Sequence, residues 1–167
     1  MSAPHPAQAP ANIPAELLGF LQSGVSLIVG TRDSGLRPEV VRAVALRINP
    51  DGASATVYMP VATSALTRDN LNDNGQIAVC ATEPKTHRSL QLKGKVTRLR
   101  DAREDERPLI EQYVVAFADE LAIIGLPVQI TMRLRAWPAY AAEFEVADLF
   151  VQTPGPKAGF RVEKDAK

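Results

Sequence analysis

From Arg88 to Arg98 the chain alternates. Leu90, Leu92 and Val96 fall on one side of a period of two, and Ser89, Gln91, Lys93, Lys95 and Thr97 fall on the other. That period belongs to a strand with one face in a core, because a helix would scatter both sets around its axis. The second face sets hydroxyls, an amide and two ammonium groups in a row. Such a face suits water, a polar ligand or a partner subunit.

Around this strand the pattern is mixed. Pro14 to Leu21 begins with a proline suited to a first helical turn and puts Leu17, Leu18 and Leu21 on one face, with Gly24 beyond its end. Val25 to Thr31 reads as a strand and Asp33-Ser34-Gly35 as a hairpin turn. Val40 to Ile48 reads as a second strand, closed by Asn49-Pro50-Asp51-Gly52, and Ala55 to Met59 as a third. Thr63 to Leu71 predicts a short helix with Thr63 or Ser64 as its cap, and Gln76 to Thr82 another strand.

Asp101, with Glu104 three residues on, has the spacing of a capping box for a longer helix. Its apolar stripe runs Leu109, Ile110, Tyr113, Val114, Phe117, Leu121, Ile124 before Gly125 and Pro127. Val128 to Ala136 and Tyr140 to Val146 alternate again and read as two final strands. The first of these would carry Gln129, Thr131, Arg133 and Arg135 on one face, with Trp137 in phase to cover a ligand or a dimer interface. The expected fold is therefore mainly β (α+β), a split β-barrel of about six antiparallel strands with peripheral helices. Residues 1–14 read as a flexible Ala/Pro-rich tail, 15–150 as the barrel domain and 151–167 as a C-terminal tail.

The 167 residues fit one such domain. Nineteen basic residues balance nineteen acidic ones, so no net basic face argues for nucleic acid. No apolar run approaches the ~20 residues of a membrane helix, and the start lacks a signal core, so a cytoplasmic protein is expected. Cys80 is the one cysteine, which leaves no disulfide or cysteine-rich metal site within the chain. His5 lies in the tail and His87 at a strand entrance, neither with a visible partner. Phosphate loops, nucleophile elbows and paired-histidine zinc motifs are all missing from the sequence. Their absence favours a fold that borrows its chemistry from a cofactor.

The order of segments carries a resemblance. A helix precedes Leu27-Ile28-Val29-Gly30-Thr31-Arg32, and Pro38 leads into Val41-Arg42-Ala43-Val44. A short helix ends in Asn70-Leu71-Asn72-Asp73-Asn74, followed by Ile77-Ala78-Val79 and Arg88-Ser89-Leu90-Gln91-Leu92-Lys93-Gly94. Over about Leu17 to Arg98 this resembles the pyridoxamine 5′-phosphate oxidase-like family of FMN-binding split barrels. The resemblance implies a homodimer with FMN in clefts between subunits. It also implies roles for Arg42-Ala43-Val44-Ala45-Leu46-Arg47, where the first basic residue serves FMN and the second reaches toward substrate. An odd offset puts Arg42 and Arg47 on opposite faces of a regular strand. Counting back from Gly94 places Ser89, with Gln91 on the same face, where the family sets a glutamine against the flavin.

One departure stands out. The oxidases grip the FMN phosphate with an Arg-Lys pair at the start of the short helix, and here that pair falls on Leu66 and Thr67, leaving Arg68. Thr63 and Ser64 at the helix start serve equally as a phosphate site or as a cap. The C-terminal half also lacks the Trp and Arg constellation of the true oxidases, which argues against pyridoxamine phosphate as substrate. The resemblance thus implies cofactor contacts from Arg42, Ala43, Arg47, Thr63, Ser64, Arg88, Ser89 and Gln91, with no metal and no assigned catalytic residue. The expected function is an FMN-binding oxidoreductase acting on a small substrate. The alternative is a binding module for a flavin, deazaflavin or haem without turnover. Arg42 itself is expected either to pair with a carboxylate such as Glu39 or Glu143, or to face a bound anion.

Overall fold

The stretch from Pro38 to Ile48 does not run as one strand. In the computed structural model, which describes residues 12–162, β2 (Pro38–Arg42) and β3 (Ala45–Ile48) part at Ala43-Val44. The pairing shows why. β2 lies antiparallel on β1 (Ser26–Arg32), whereas β3 pairs with β4 (Ser54–Pro60). Between them the Ala43 amide donates to the Leu27 carbonyl at 3.0 Å, and the Val44 amide to the Tyr58 carbonyl at 2.8 Å. One extended segment crosses from the first edge of the sheet to the last and ties them together.

β5 (Gln76–Thr82), β6 (Ser89–Asp101) and β7 (Ala139–Val151) complete a seven-stranded sheet in the order β2-β1-β5-β6-β7-β4-β3. This curled antiparallel sheet is the expected split barrel, with the second strand counted as two. Leu27, Val29, Val79, Leu92, Val57 and Phe144 fill its interior, each at most 1 % exposed. Full burial of such a side chain stabilises the fold by about 1.5–3 kcal/mol.

The opposite face of β2, β1, β5, β6 and β7 points outward in two registered rows. One row reads Arg42, Ile28, Cys80, Gln91, Phe150, and the next Val40, Gly30, Ala78, Lys93, Asp148. The polar set that marks β6 in the sequence belongs to this face, while Leu90 and Leu92 are buried inside. Between Lys93 and Gly94 the β6–β7 register slips. A Cβ on Gly94 would lie 2.0 Å from the Glu145 carbonyl oxygen, so only glycine lets the strands approach this closely there.

α1 (Ala15–Leu21) closes one end of the barrel, and α2 (Ala65–Asn74) packs against β1 and β2. Glu39 anchors α2 by accepting from Thr67 Oγ1 at 2.6 Å and Thr31 Oγ1 at 3.1 Å, and Asn70 donates to that same Thr31 oxygen.

Two expectations fail in the second half. Asp101 does not cap a helix, because β6 continues to Asp101, paired with Tyr140. A 3-10 turn at Glu104–Glu106 follows, and α3 spans Arg107–Ile123. A capping box forms instead at the 3-10 turn, where the Glu106 carboxylate accepts the amide of the N-cap Arg103 at 2.9 Å, and α3 itself has no side-chain cap. Nor is Val128 to Ala136 a strand. Pro127 starts a single helical turn, α4 (Val128–Thr131), in which the Met132 amide donates to the Val128 carbonyl at 3.0 Å. β7 already has β6 and β4 on its two edges, so no ladder is open to this segment there. The expected polar row Gln129, Thr131, Arg133, Arg135 therefore does not form.

Beyond β7 the chain folds back. The Gln152 amide reaches the Ser89 carbonyl at 2.8 Å, and the Val151 amide the Phe160 carbonyl at 2.9 Å. Residues 1–11, with His5 and most of the expected N-terminal tail, and residues 163–167 lie outside the described residues. Among those described, no helix is long and apolar enough to cross a membrane.

Candidate functional site

Arg42 is the last residue of β2 and points outward, because Val41 beside it points in. Its guanidinium donates to Ser26 Oγ at 3.1 Å and lies 5.2 Å from the centroid of the Phe117 ring. Neither carboxylate considered for it is its partner. Glu39 is held by Thr31 and Thr67, and Glu143 by Arg100 at 2.7 Å. Among the described residues Arg42 forms no ion pair.

This cation sits in a cavity of about 670 Å³, within the size range of small-molecule sites. Ser26, Thr82 and His87 bring polar groups from the strand ends. Phe117 and Leu121 of α3, with Ile124, Leu126, Ile130 and Leu134 after it, form an apolar wall. Thr82 Oγ1 and Ser89 Oγ lie 2.9 Å apart, and Ser89 Oγ also donates to the His87 carbonyl at 2.9 Å. His87 holds a positive φ of 60°, unusual for a residue with a side chain. Thr131 lines the same cavity, and its hydroxyl is buried without a hydrogen-bond partner among the described residues. A cation, several hydroxyls and an apolar wall together suit a ligand with an anionic group on an apolar body.

The eight sequence-derived contacts do not converge on one place. Arg42, Ser89 and Gln91 share the outward face of the sheet. Arg42 and Gln91 stand in one row across three strand spacings, about 14 Å apart. Ser89 is only 6 % exposed, and Thr153 Oγ1 accepts its amide at 2.9 Å. Gln91 takes a hydrogen bond from Gln152 at 3.3 Å. Ala43 is fully buried at the crossing between barrel edges. Arg88 is turned to α1, its guanidinium 4.5 Å from the Phe20 ring centroid.

Thr63 and Ser64 precede α2, away from the Arg42 cavity. Ser64 is fully buried and its hydroxyl donates to the Pro60 carbonyl, so it makes no side-chain cap. Arg47, on β3, donates to Glu106 at 3.3 Å. That carboxylate, 2 % exposed, also accepts from Arg100 at 2.7 and 2.8 Å and from the Tyr58 hydroxyl at 2.9 Å. Arg100's hydrogen bonds hold the Glu106 pKa down at about 2 despite burial. Burial and the same carboxylate push Tyr58 up to about 12. This network ties the start of α3 to the barrel.

Sequence reasoning places Phe117 and Leu121 in a helix stripe, correctly, and reads them as core. Their second role as a cavity wall depends on where the segment after Pro127 lies. Ser26 and Thr82 carry no motif that marks them, and Thr131 stands in the expected polar row but reaches the cavity from a helical turn instead.

No protein-family model matches the sequence, and no curated protein matches it either. Solved structures do match in fold. HupZ from Group A Streptococcus is 18% identical, with a TM-score of 0.53, over 88% of this chain and 99% of that one. An F420 reductase is 12% identical, with a TM-score of 0.55, over 82% and 98%. A putative pyridoxamine 5′-phosphate oxidase from Lactobacillus delbrueckii is 10% identical, with a TM-score of 0.54, over 87% and 99%. The chain therefore has the split-barrel fold of the pyridoxamine 5′-phosphate oxidase-like proteins. At these identities the likeness is one of architecture.

Proposed function

We propose that the Arg42 cavity binds a flavin, FMN in the first instance, and that the protein moves electrons between this flavin and a small substrate. The observation behind the proposal is a half-buried guanidinium with no carboxylate partner among the described residues, set against an apolar wall. An unpaired charge in such a place is costly unless an anion completes it. The residues fit the cofactor's needs. Arg42 answers the anionic group, Ser26 and Thr82 add hydroxyl donors, and Phe117, Leu121 and Leu134 contact the ring system and exclude water. Gln91 and Ser89 are proposed to serve the ring's polar edge from the same sheet face. A bound flavin supplies redox chemistry that no side chain in the cavity offers.

A cytoplasmic homodimer is part of this proposal. The outward row of Val40, Gly30 and Ala78 is partly apolar, with Val40 69 % exposed and Gly30 and Ala78 lining a hollow of about 590 Å³ on this face. A second copy laid on it would bring its own residues to the edge of the cavity.

Titration of FMN into the purified protein tests the reading. Flavin fluorescence should be quenched at micromolar concentration, an interaction of roughly 8 kcal/mol. Unchanged fluorescence and no calorimetric heat up to ~1 mM would defeat it. Haem or a deazaflavin in the same cavity is the second reading, and His87 on its lining supports haem, since imidazole ligates haem iron. A Soret band shifted by added protein and restored in His87→Ala would separate haem bound through His87 from haem bound elsewhere.

A further inference from the structure

The polar residues of the Arg42 cavity leave the far side of Leu134 unexplained. Leu134 lines the Arg42 cavity and also a second one of about 510 Å³. A single stripe of α3 floors both, with Phe117 and Leu121 under the first and Ile110 and Val114 under the second. Residues at this spacing stack on one helix face, so the two cavities are neighbours along one track, parted where the chain crosses it. The α4 turn and the residue after it are built inside out for a free surface. Thr131 is 3 % exposed, whereas Ile130 and Met132 are about half exposed, at 52 % and 49 %. Ile130 faces the first cavity and Met132 the second.

The second cavity has its own recognition groups. Trp137 forms one side, with the Arg107 guanidinium 5.7 Å from its ring centroid. Arg107 is also paired at 2.8 Å with Glu111, a carboxylate that lines the cavity as well, so this pair is neutral and Arg135 leaves the lining with one net positive charge. Arg135 lines the cavity too, is exposed and forms no ion pair among the described residues. An indole, aliphatic side chains and an uncompensated guanidinium select an apolar or aromatic body that carries a negative charge.

We propose that this second cavity is the substrate site, that its substrate is an apolar or aromatic anion held between Trp137 and Arg135, and that Leu134 is the wall between substrate and cofactor. The assignment as substrate site rests on the flavin reading of the first cavity. The binding chemistry rests on Trp137, Arg135 and Met132 alone.

Trp137 is the chain's one tryptophan, so it reports on its own cavity. The probe is 1-anilinonaphthalene-8-sulfonate, an aromatic anion that accepts energy from tryptophan. In the FMN-free protein it should give saturable emission under tryptophan excitation, and calorimetry, which the flavin's absorption of the probe's light does not disturb, should show the same probe binding with FMN present. Arg135→Gln should weaken it about fivefold or more, and Met132→Glu, which sets a like charge beside the anion, should abolish it. Both positions are exposed, so both variants should keep the wild-type melting temperature. Trp137→Phe should remove the sensitised signal and weaken, without abolishing, the directly excited one, since a phenyl ring covers less of the probe than the indole does.

The proposal is overturned by the absence of a saturable signal up to ~1 mM probe. Wild-type affinity in both charge variants overturns it too, as does competition between FMN and the probe in calorimetry, which would place the probe in the Arg42 cavity. Probe binding with the expected variant effects, in a protein that does not bind FMN, would uphold the anion site and defeat the flavin reading. FMN binding without a probe signal would do the reverse.

Discussion

The guanidinium of Arg42 lies over the ring of Phe117, 5.2 Å from its centroid, and the pair joins the last residue of β2 to the middle of α3. Phe117 gives Arg42 an aromatic face and no counter-charge. This contact holds the cation in the cavity without neutralising it, because the ring attracts the charge through its quadrupole and supplies no counter-ion.

Arg42→Met keeps much of the apolar stem on Phe117 and removes the charge. The variant should fold with a melting temperature near wild type and lose about 2–3 kcal/mol of FMN affinity. Riboflavin, which lacks the phosphate, should lose far less. Parallel titrations with the two flavins check this, and equal losses would take the phosphate away from Arg42.

Glu106 governs the acid limb of stability. Its pKa is about 2 in the folded protein against an ordinary 4.5, so its stabilising contribution is complete above about pH 5 and is lost as the pH falls toward 2. The contribution amounts to about 3 kcal/mol. Glu106→Gln leaves Arg47, Arg100 and Tyr58 facing an uncharged amide and should cost about 3 kcal/mol at neutral pH. Urea unfolding at several pH values measures both effects. The variant's stability should vary much less between pH 5 and pH 2 than the wild type's.

Much of the fold is legible because burial on one strand face leaves a plain period. β1, β5 and the first half of β6 are recognisable from Leu27, Val29, Val79 and Leu92 and their outward neighbours. The division of β2 from β3 is not, since Val41 to Leu46 is equally suited to strand on either side of it. The break comes from two different strands claiming Ala43 and Val44. The segment from Val128 to Ala136 misleads for the converse reason. Its alternation is as regular as that of β6, but a strand needs a free edge and this segment has none at β7. At the site, Arg42 is legible as a charge out of place. Arg47 looks similar and is answered by Glu106, fifty-nine residues on, a separation no local pattern reveals.

Gly94 gives a sharp test of the β6–β7 packing. Gly94→Ala would drive a methyl group into the Glu145 carbonyl, with the Phe144 ring 2.9 Å away on the interior side. Neither can give way without opening the ladder, so a loss of about 3 kcal/mol or a failure to fold is expected. Gly30→Ala is the control, since a Cβ there meets nothing closer than 4.0 Å. Thermal unfolding of the two variants should separate them clearly.

The proposed homodimer predicts a sedimenting mass near twice 18.1 kDa at low micromolar concentration. Ala78→Arg puts a long charged side chain in the middle of the outward row, next to Gly30 and Lys93. It should give a folded monomer, because its side chain points away from the barrel interior. A variant that stays dimeric would move the interface to another surface.

Thr131 separates stability from binding at a single atom. Its hydroxyl is buried without a partner among the described residues, and a buried unsatisfied hydroxyl costs about 1–3 kcal/mol in the unliganded protein. Thr131→Val replaces that hydroxyl with a methyl group of similar size. If the hydroxyl is merely unsatisfied, the variant should gain about 1 kcal/mol of stability and bind FMN as the wild type does. With the hydroxyl serving the bound ligand, the same gain in stability comes with a loss of about 1 kcal/mol in FMN affinity, as the ligand forfeits a hydrogen bond. Melting temperatures with and without FMN read both quantities in one experiment. A variant more stable than wild type in both conditions, by equal amounts, would exclude Thr131 from the binding site.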